Sequence, residues 1–149
     1  MNKKILLFLM MLMPLLASAD SVEIEGIWYN FITSGKVAEV IQKPNYSFYS
    51  GNIIIPEKVT YEGVEYTVTK IADNAFNSCK DLTSITIPSS VTTIGESAFF
   101  YCNSLTSITI PSGVTNIGYS TFSYCSGLTS ITIPSSVTNI DSYAFHACI

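Results

Sequence analysis

Ile71, Ile94, Ile117 and Ile140 lie 23 residues apart, and so do Phe76, Phe99, Phe122 and Phe145 and the cysteines Cys79, Cys102, Cys125 and Cys148. Leu82, Leu105 and Leu128 keep the same step. The I-T-I-P tetrads ending at Pro88, Pro111 and Pro134 follow it too, as do Val91, Val114 and Val137. A period between about 20 and 50 residues carried by apolar positions marks a solenoid, in which each unit buries its apolar face only against its neighbours. The scaffold is thereby specified. Its ligand is not, because ligand choice falls to the positions that vary.

Within one repeat, Ile85 and Ile87 alternate with Ser84 and Thr86, the period of a half-buried strand, and Pro88 ends that strand because proline has no N–H to give a ladder. Ser89-Ser90 makes a turn, Val91 and Ile94 return to the core, and Gly95 relieves the corner. Ala98, Phe99 and Cys102 then follow a helical spacing too brief for more than a turn or two. One coil is expected to be a strand, a turn, a short helical turn and a loop. Successive strands must lie parallel.

Upstream, Ile53-Ile54-Ile55-Pro56 with Val59 resembles the strand end of a coil, but nine extra residues fall around Tyr61 to Tyr66 and read as an inserted hairpin. Val22 to Ile32 and Lys36 to Ile41 are strand-like about Thr33-Ser34-Gly35. Residues 20–70 are therefore expected to form a β-rich cap with a hairpin insertion, and residues 71–149 the repeats. A cap keeps a first coil from exposing its core and a free strand edge. At the other end Val137 to Cys148 supplies only the return half of a coil. Either the array continues, or another chain covers Ile131, Ile133, Val137, Ile140 and Phe145, which makes self-association through this end an expectation.

Residues 1–19 read as a secretory signal peptide: Lys3 and Lys4, the apolar run Ile5 to Leu16, then Ala17-Ser18-Ala19, with cleavage after Ala19. The apolar run falls short of the roughly 20 residues of a membrane span. The expected location is outside the cell or on its surface. Losing two of the seven lysines takes the formal charge from −4 to −6, and there is no arginine. Such a chain lacks the basic footprint of a nucleic-acid binder. All lysines and all acids except Asp141 occur by Glu96, so the repeats present Ser, Thr, Asn, Gly and Tyr.

Four cysteines in an exported chain ordinarily imply disulfides. Here they share one register, and side chains stacked in register run side by side rather than converging. Cys79, Cys102, Cys125 and Cys148 are expected to be buried free thiols with a structural role. A bridge between neighbouring coils is the alternative, since a spacing of about 4.8 Å falls inside the Cα range of a disulfide. No C-x-x-C spacing offers a zinc site, and no cofactor motif is present.

The pattern I-x-x-x-A-F-x-x-C-x-x-L-x-x-I-x-I-P-x-x-V-x-x-I, matched by Ala98, Phe99, Cys102, Leu105, Ile108, Ile110, Pro111 and Val114, resembles the BspA-like leucine-rich repeats of bacterial surface and secreted proteins. It covers Ile71 to Cys148, with Thr121 standing where the pattern has alanine. Gly26 to Ile71 resembles the N-terminal cap of such arrays. The resemblance implies a leucine-rich-repeat solenoid, horseshoe-like and β-rich, with a parallel sheet of short strands. It also implies adhesion or binding to host or matrix proteins. Its motif residues are core residues, so it carries over no ligand site.

An enzyme is not expected. The lone histidine, His146, has no acid at a short orienting spacing, and no nucleophile and base can be paired. A binding module is the leading reading, with a protein or glycan ligand; a spacer or a self-assembling surface protein is the alternative. The outward sheet residues Ser84, Thr86, Ser107, Thr109, Ser130 and Thr132 are short, whereas binding hot spots favour Trp, Tyr and Arg. The candidate ligand-binding residues are therefore the non-core aromatics Phe100, Tyr101, Tyr119, Tyr124 and Tyr143 of the repeats and Trp28 of the cap.

Overall fold

The computed structural model describes residues 21–45 and 47–148. The signal-peptide segment 1–19 with its cleavage site, together with Asp20, Tyr46 and Ile149, lies outside the described residues. The chain opens with β1 (Val22–Ile24), β2 (Ile27–Ile32), β3 (Val37–Val40), β4 (Gly51–Ile54), β5 (Lys58–Tyr61) and β6 (Val64–Ile71). Five of these form one sheet in the order β1-β2-β3-β6-β5. Both tight hairpins turn on a Glu-Gly pair with two positive φ angles: Glu25 and Gly26 at 51° and 82°, Glu62 and Gly63 at 50° and 76°. That geometry matches the right-handed twist of the flanking strands, and the glycine supplies its second half without steric cost. Alternation then sorts the faces. Ile27, Tyr29, Phe31, Ala38, Val40, Tyr66 and Val68 are buried, while Trp28, Asn30 and Ile32 leave the other face.

Beyond Ile71 each repeat supplies two short strands: β7 (Leu82–Thr86) and β8 (Thr93–Ile94), β9 (Ser107–Thr109) and β10 (Asn116–Ile117), β11 (Ser130–Thr132) and β12 (Asn139–Ile140). β4 pairs with β7 and β9 with β11, all parallel, and the Thr106 N–H donating to the Thr83 carbonyl at 3.5 Å links the two pairs. The second strands make a ladder of their own. β8 pairs in parallel with the end of β6, Ile71 opposite Ile94, and β10 pairs in parallel with β12. This second ladder is not evident from the sequence, where two-residue strands leave no alternation to read.

The helical turns expected after each glycine corner are not helices. Among the described residues the one helical element is a 3-10 turn at Thr33–Gly35. The reason is the destination of the backbone donors. The N–H groups of Asn74, Phe76 and Ser78 donate to the carbonyls of Glu96, Ala98 and Phe100 in the next coil, at 2.7 to 3.0 Å. Those of Ala75, Asn77 and Cys79 donate back three residues within their own coil. An α-helix would need all of them for i to i−4 bonds. The cross-coil bonds win, and the segment becomes linked turns in which Asn74 and Ser78, Ser97 and Tyr101, Ser120 and Tyr124, Tyr143 and Ala147 take left-handed φ near 52° to 61°.

Stacking in register builds the core. Phe76, Phe99, Phe122 and Phe145 form a ring ladder with centroids 5.2, 5.4 and 5.4 Å apart and planes within 2° to 8°. Tyr49 closes its upper end 4.7 Å from Phe76. The four cysteines are free; Cys79, Cys102 and Cys125 are buried and Cys148 is half-buried. They do more than fill space. Cys102, Cys125 and Cys148 donate their thiol hydrogens to the carbonyls of Phe76, Phe99 and Phe122 at 3.2, 3.0 and 2.9 Å. Each thiol thus ties a phenylalanine carbonyl of one coil to the loop of the next. Burial pushes the Cys79 thiol up to about 11, and the neighbouring Cys125 thiol, then burial, holds the Cys102 thiol above its ordinary value.

Candidate ligand-binding surface

Three surfaces of the repeats carry polar or aromatic side chains. The first is the hydroxyl face of the β4-β7-β9-β11 strands, where Thr86, Ser107, Thr109, Ser130 and Thr132 are exposed. Ser84 donates its hydroxyl to Asn52 of the neighbouring strand, so part of its polar capacity is already used within the sheet.

The second surface follows the two-residue strands. Asn139 donates to Asn116 at 2.6 Å and to Asp141 at 2.9 Å, and Asn116 donates to Asp141 at 3.4 Å. These amides bond one another across coils as a sheet-stabilising ladder, which leaves them few donors for a ligand.

The third surface is aromatic and continuous. Tyr101 and Tyr124, one coil apart, stack with centroids 4.6 Å apart and planes 4° apart. Phe100 meets both edge-on, at 4.9 and 5.6 Å. From Tyr124 the contacts run to His146 at 5.4 Å, from His146 to Tyr143 at 5.4 Å, and from Tyr143 to Tyr119 at 5.7 Å. Five sequence-selected aromatics, Phe100, Tyr101, Tyr119, Tyr124 and Tyr143, are therefore brought into one strip. Trp28 is not among them: it has no ring contact with the strip and lines a separate cleft beside β1 and β2.

The strip is not uniform. Stacking turns the faces of Tyr101 and Tyr124 toward each other, and both residues, like Phe100, are half-buried. Tyr119 and Tyr143 are 47% and 57% exposed, and His146 beside them is exposed as well. The exposed ring area lies chiefly at this end. The strip depends on the cross-coil backbone ladder: the Tyr101 N–H donates to the Ser123 carbonyl at 3.0 Å and the Tyr124 N–H to the His146 carbonyl at 2.7 Å. Those bonds hold both tyrosines in left-handed backbone, at φ 61° and 60°. Ser78 and Ala147 occupy the same repeat position at φ 61° and 55°, so the backbone does not require a ring there. In the sequence His146 reads only as a histidine without a catalytic partner. The signal that places it was present: it stands two periods after Phe100, at the same repeat position.

The sequence profile of the BspA-type leucine-rich repeat region matches residues 43–149 in six copies. The chain belongs to this family. The match begins before Ile71, in keeping with β4 pairing in parallel with β7 and with Tyr49 sitting on the ring ladder. Among solved structures, a leucine-rich repeat protein from Bacteroides ovatus ATCC 8483 is 38% identical over 85% of this chain, with a TM-score of 0.79, and the chain spans 33% of that protein. A leucine-rich repeat protein from Bacteroides capillosus ATCC 29799 is 33% identical over 82% of the chain, which spans 88% of it, with a TM-score of 0.72. A leucine-rich cell surface protein from Faecalibacterium prausnitzii A2-165 is 26% identical over 87% of the chain, which spans 46% of it, with a TM-score of 0.51. A search of curated proteins gives no significant match.

One departure from the BspA-type pattern has a local explanation. Thr121 replaces the alanine of Ala75, Ala98 and Ala144 in a fully buried position, and its hydroxyl donates to the Gly118 carbonyl at 2.8 Å. A buried hydroxyl so bonded costs little. Among the described residues no helix is long and apolar enough to cross a membrane, and no group of three or more metal-ligating side chains comes together.

Proposed function

We propose that this chain is an exported, non-enzymatic binding module whose solenoid of stacked coils, horseshoe-like in its curvature, holds an aromatic strip toward a protein ligand on a host, matrix or cell surface. The observation that carries the reading is the exposed end of the strip, where Tyr119 and Tyr143 are in edge contact at 5.7 Å and Tyr143 meets His146 at 5.4 Å. Tyrosine is a preferred interface residue because it offers large rigid area with a polar tip. An extended strip suits a protein surface better than a single small molecule, which needs a concave site. The surface location of the Faecalibacterium relative supports the export expected from residues 1–19, and residues 20–70 serve in this reading as the cap of the array.

The test is immobilised residues 20–149 against matrix proteins and a glycan panel, with Tyr119→Ala plus Tyr143→Ala beside Thr86→Ala plus Thr109→Ala. The tyrosine pair should weaken binding tenfold or more, about 1.4 kcal/mol, and the threonine pair should leave it unchanged. The opposite ranking moves the site to the hydroxyl face. A glycan as the only ligand retained would replace the protein partner.

A second reading, a spacer or self-assembling surface protein, rests on Ile133 and Ile140, 40% and 48% exposed in the last described coil. Light scattering across a concentration series decides it, since a copy covering these residues gives dimers or larger species.

A further inference from the structure

Away from the aromatic strip, two adjoining clefts of about 200 and 410 Å³ lie along residues 42–45 and 47–48 beside β1 and β2. Glu23, Trp28, Lys43, Pro44, Asn45 and Ser47 line the first. The second shares Lys43, Pro44 and Asn45 and adds Gln42 and Phe48, whose ring is 49% exposed.

The walls of the first cleft are tied down. Trp28 and Tyr49 are joined by the Trp28 N–H donating to the Tyr49 hydroxyl oxygen at 3.0 Å. The Tyr49 hydroxyl donates in turn to the Ile41 carbonyl at 2.8 Å, and the Ile41 N–H donates to the Trp28 carbonyl at 2.9 Å. Tyr49 is itself buried against Phe76, so the cleft is anchored to the first coil. Lys43 lies with its ammonium 4.9 Å from the centre of the Tyr49 ring. Glu23 stands directly opposite Trp28 in the β1–β2 ladder, so the carboxylate and the indole leave the same face of the sheet.

The cleft therefore sets a half-buried indole beside a carboxylate, a carboxamide, a hydroxyl and an ammonium group. Among the described residues neither Glu23 nor Lys43 is in an ion pair. An aromatic face packs on the C–H side of a pyranose, while a carboxylate accepts from adjacent sugar hydroxyls and an amide or ammonium donates to them. We propose that this cleft is a binding subsite for one unit of a neutral oligosaccharide, with Trp28 as its platform, Glu23 and Asn45 on its hydroxyls, and Phe48 meeting the next unit in the second cleft. Size agrees, since about 200 Å³ is below the roughly 300 to 1,000 Å³ of a drug-sized pocket. Charge agrees as well. A sugar carboxylate would gain Lys43 but face Glu23 and a chain with an excess of acids, whereas a neutral sugar uses both groups as hydrogen-bond partners.

Trp28 is the only tryptophan in the chain, so its emission reports on this cleft alone. Residues 20–149 are titrated with gluco-, galacto-, manno- and N-acetylglucosamine-configured di- and trisaccharides, with sialyl- and glucuronyl-lactose as the acidic arm. A saturable change in Trp28 emission with a neutral member is expected, weakened tenfold or more by Glu23→Gln and unaffected by Tyr119→Ala plus Tyr143→Ala. Folding of each variant is checked by circular dichroism. No emission change with any sugar, or a change that survives Glu23→Gln and Asn45→Ala, overturns the subsite. Binding of the acidic arm only, lost in Lys43→Ala but kept in Glu23→Gln, overturns its neutral character.

Discussion

Replacing Phe99 by alanine tests whether the ring ladder holds the coils together. Phe99 is fully buried, with Phe76 5.2 Å above it and Phe122 5.4 Å below, both nearly parallel to it. The neighbouring rings cannot close the gap. The coils that carry them are held apart by backbone bonds, Phe76 N–H to the Ala98 carbonyl at 2.8 Å and Phe99 N–H to the Thr121 carbonyl at 2.9 Å. A cavity that stays open sits at the upper end of the large-to-small range, so Phe99→Ala should cost about 4 to 5 kcal/mol. Within that figure each lost ring pair accounts for about 0.5 to 1.5 kcal/mol. Phe145 has one ladder partner, Phe122 at 5.4 Å, and is only half-buried, so Phe145→Ala should cost about 2 kcal/mol. Urea unfolding of residues 20–149, followed by far-ultraviolet circular dichroism, measures both at one protein concentration. A Phe99→Ala cost no larger than that of Phe145→Ala would refute the ladder as the axis of stability.

Three further outcomes are expected. Burial raises the Cys79 thiol from its ordinary 9.0 to about 11, so the fold favours the protonated form. The resulting stability is complete below pH 9 and lost as pH climbs through 11, a fall of about 2 to 3 kcal/mol that Cys79→Ala should remove from a series of alkaline urea titrations, leaving the fall due to Cys102, Cys148, Tyr29 and Tyr49, which the fold also holds protonated. Gly95→Ala should cost about 2 kcal/mol or more, because the new methyl would collide with the backbone nitrogen and carboxylate of Asp73. Gly118→Ala, whose nearest atom is the Glu96 Cγ at 3.4 Å, should cost less than about 1 kcal/mol, and equal losses in thermal melts would show that the coils yield at this corner. Thr121→Val should cost about 1 kcal/mol through loss of the bond to the Gly118 carbonyl, while Thr121→Ala, which restores the residue of Ala75, Ala98 and Ala144, should stay closer to wild type by the same melts.

The period of 23 residues determined the stacking by itself. Equal steps of Phe, Cys, Ile and Leu leave no other way to bury every apolar side chain, and the inward residues Ile85, Ile108, Phe99 and Cys102 follow directly. The hairpin at Glu62-Gly63 was legible for a similarly local reason, since turn chemistry acts over four residues, whereas Val22 to Ile32 reads as one strand-like run and the structure folds it into β1 and β2 about Glu25-Gly26. The aromatics outside the core were legible as a set. Which of them a ligand reaches was not. Tyr101 and Tyr124 spend their faces on each other while Tyr119 and Tyr143 remain open, a difference that arises only when coils lie side by side. The same contact between coils replaced the expected helical turns, because donors at Asn74, Phe76 and Ser78 find the carbonyls of the next coil before those of their own. The β1–β2 ladder sets Glu23 opposite Trp28, and the Tyr49 hydroxyl, which joins Trp28 to a segment 21 residues away and bonds the Ile41 carbonyl, holds the chain leading to Lys43 beside them. Local spacing carries no trace of such a contact, so tertiary structure alone decided where this chain has a cleft.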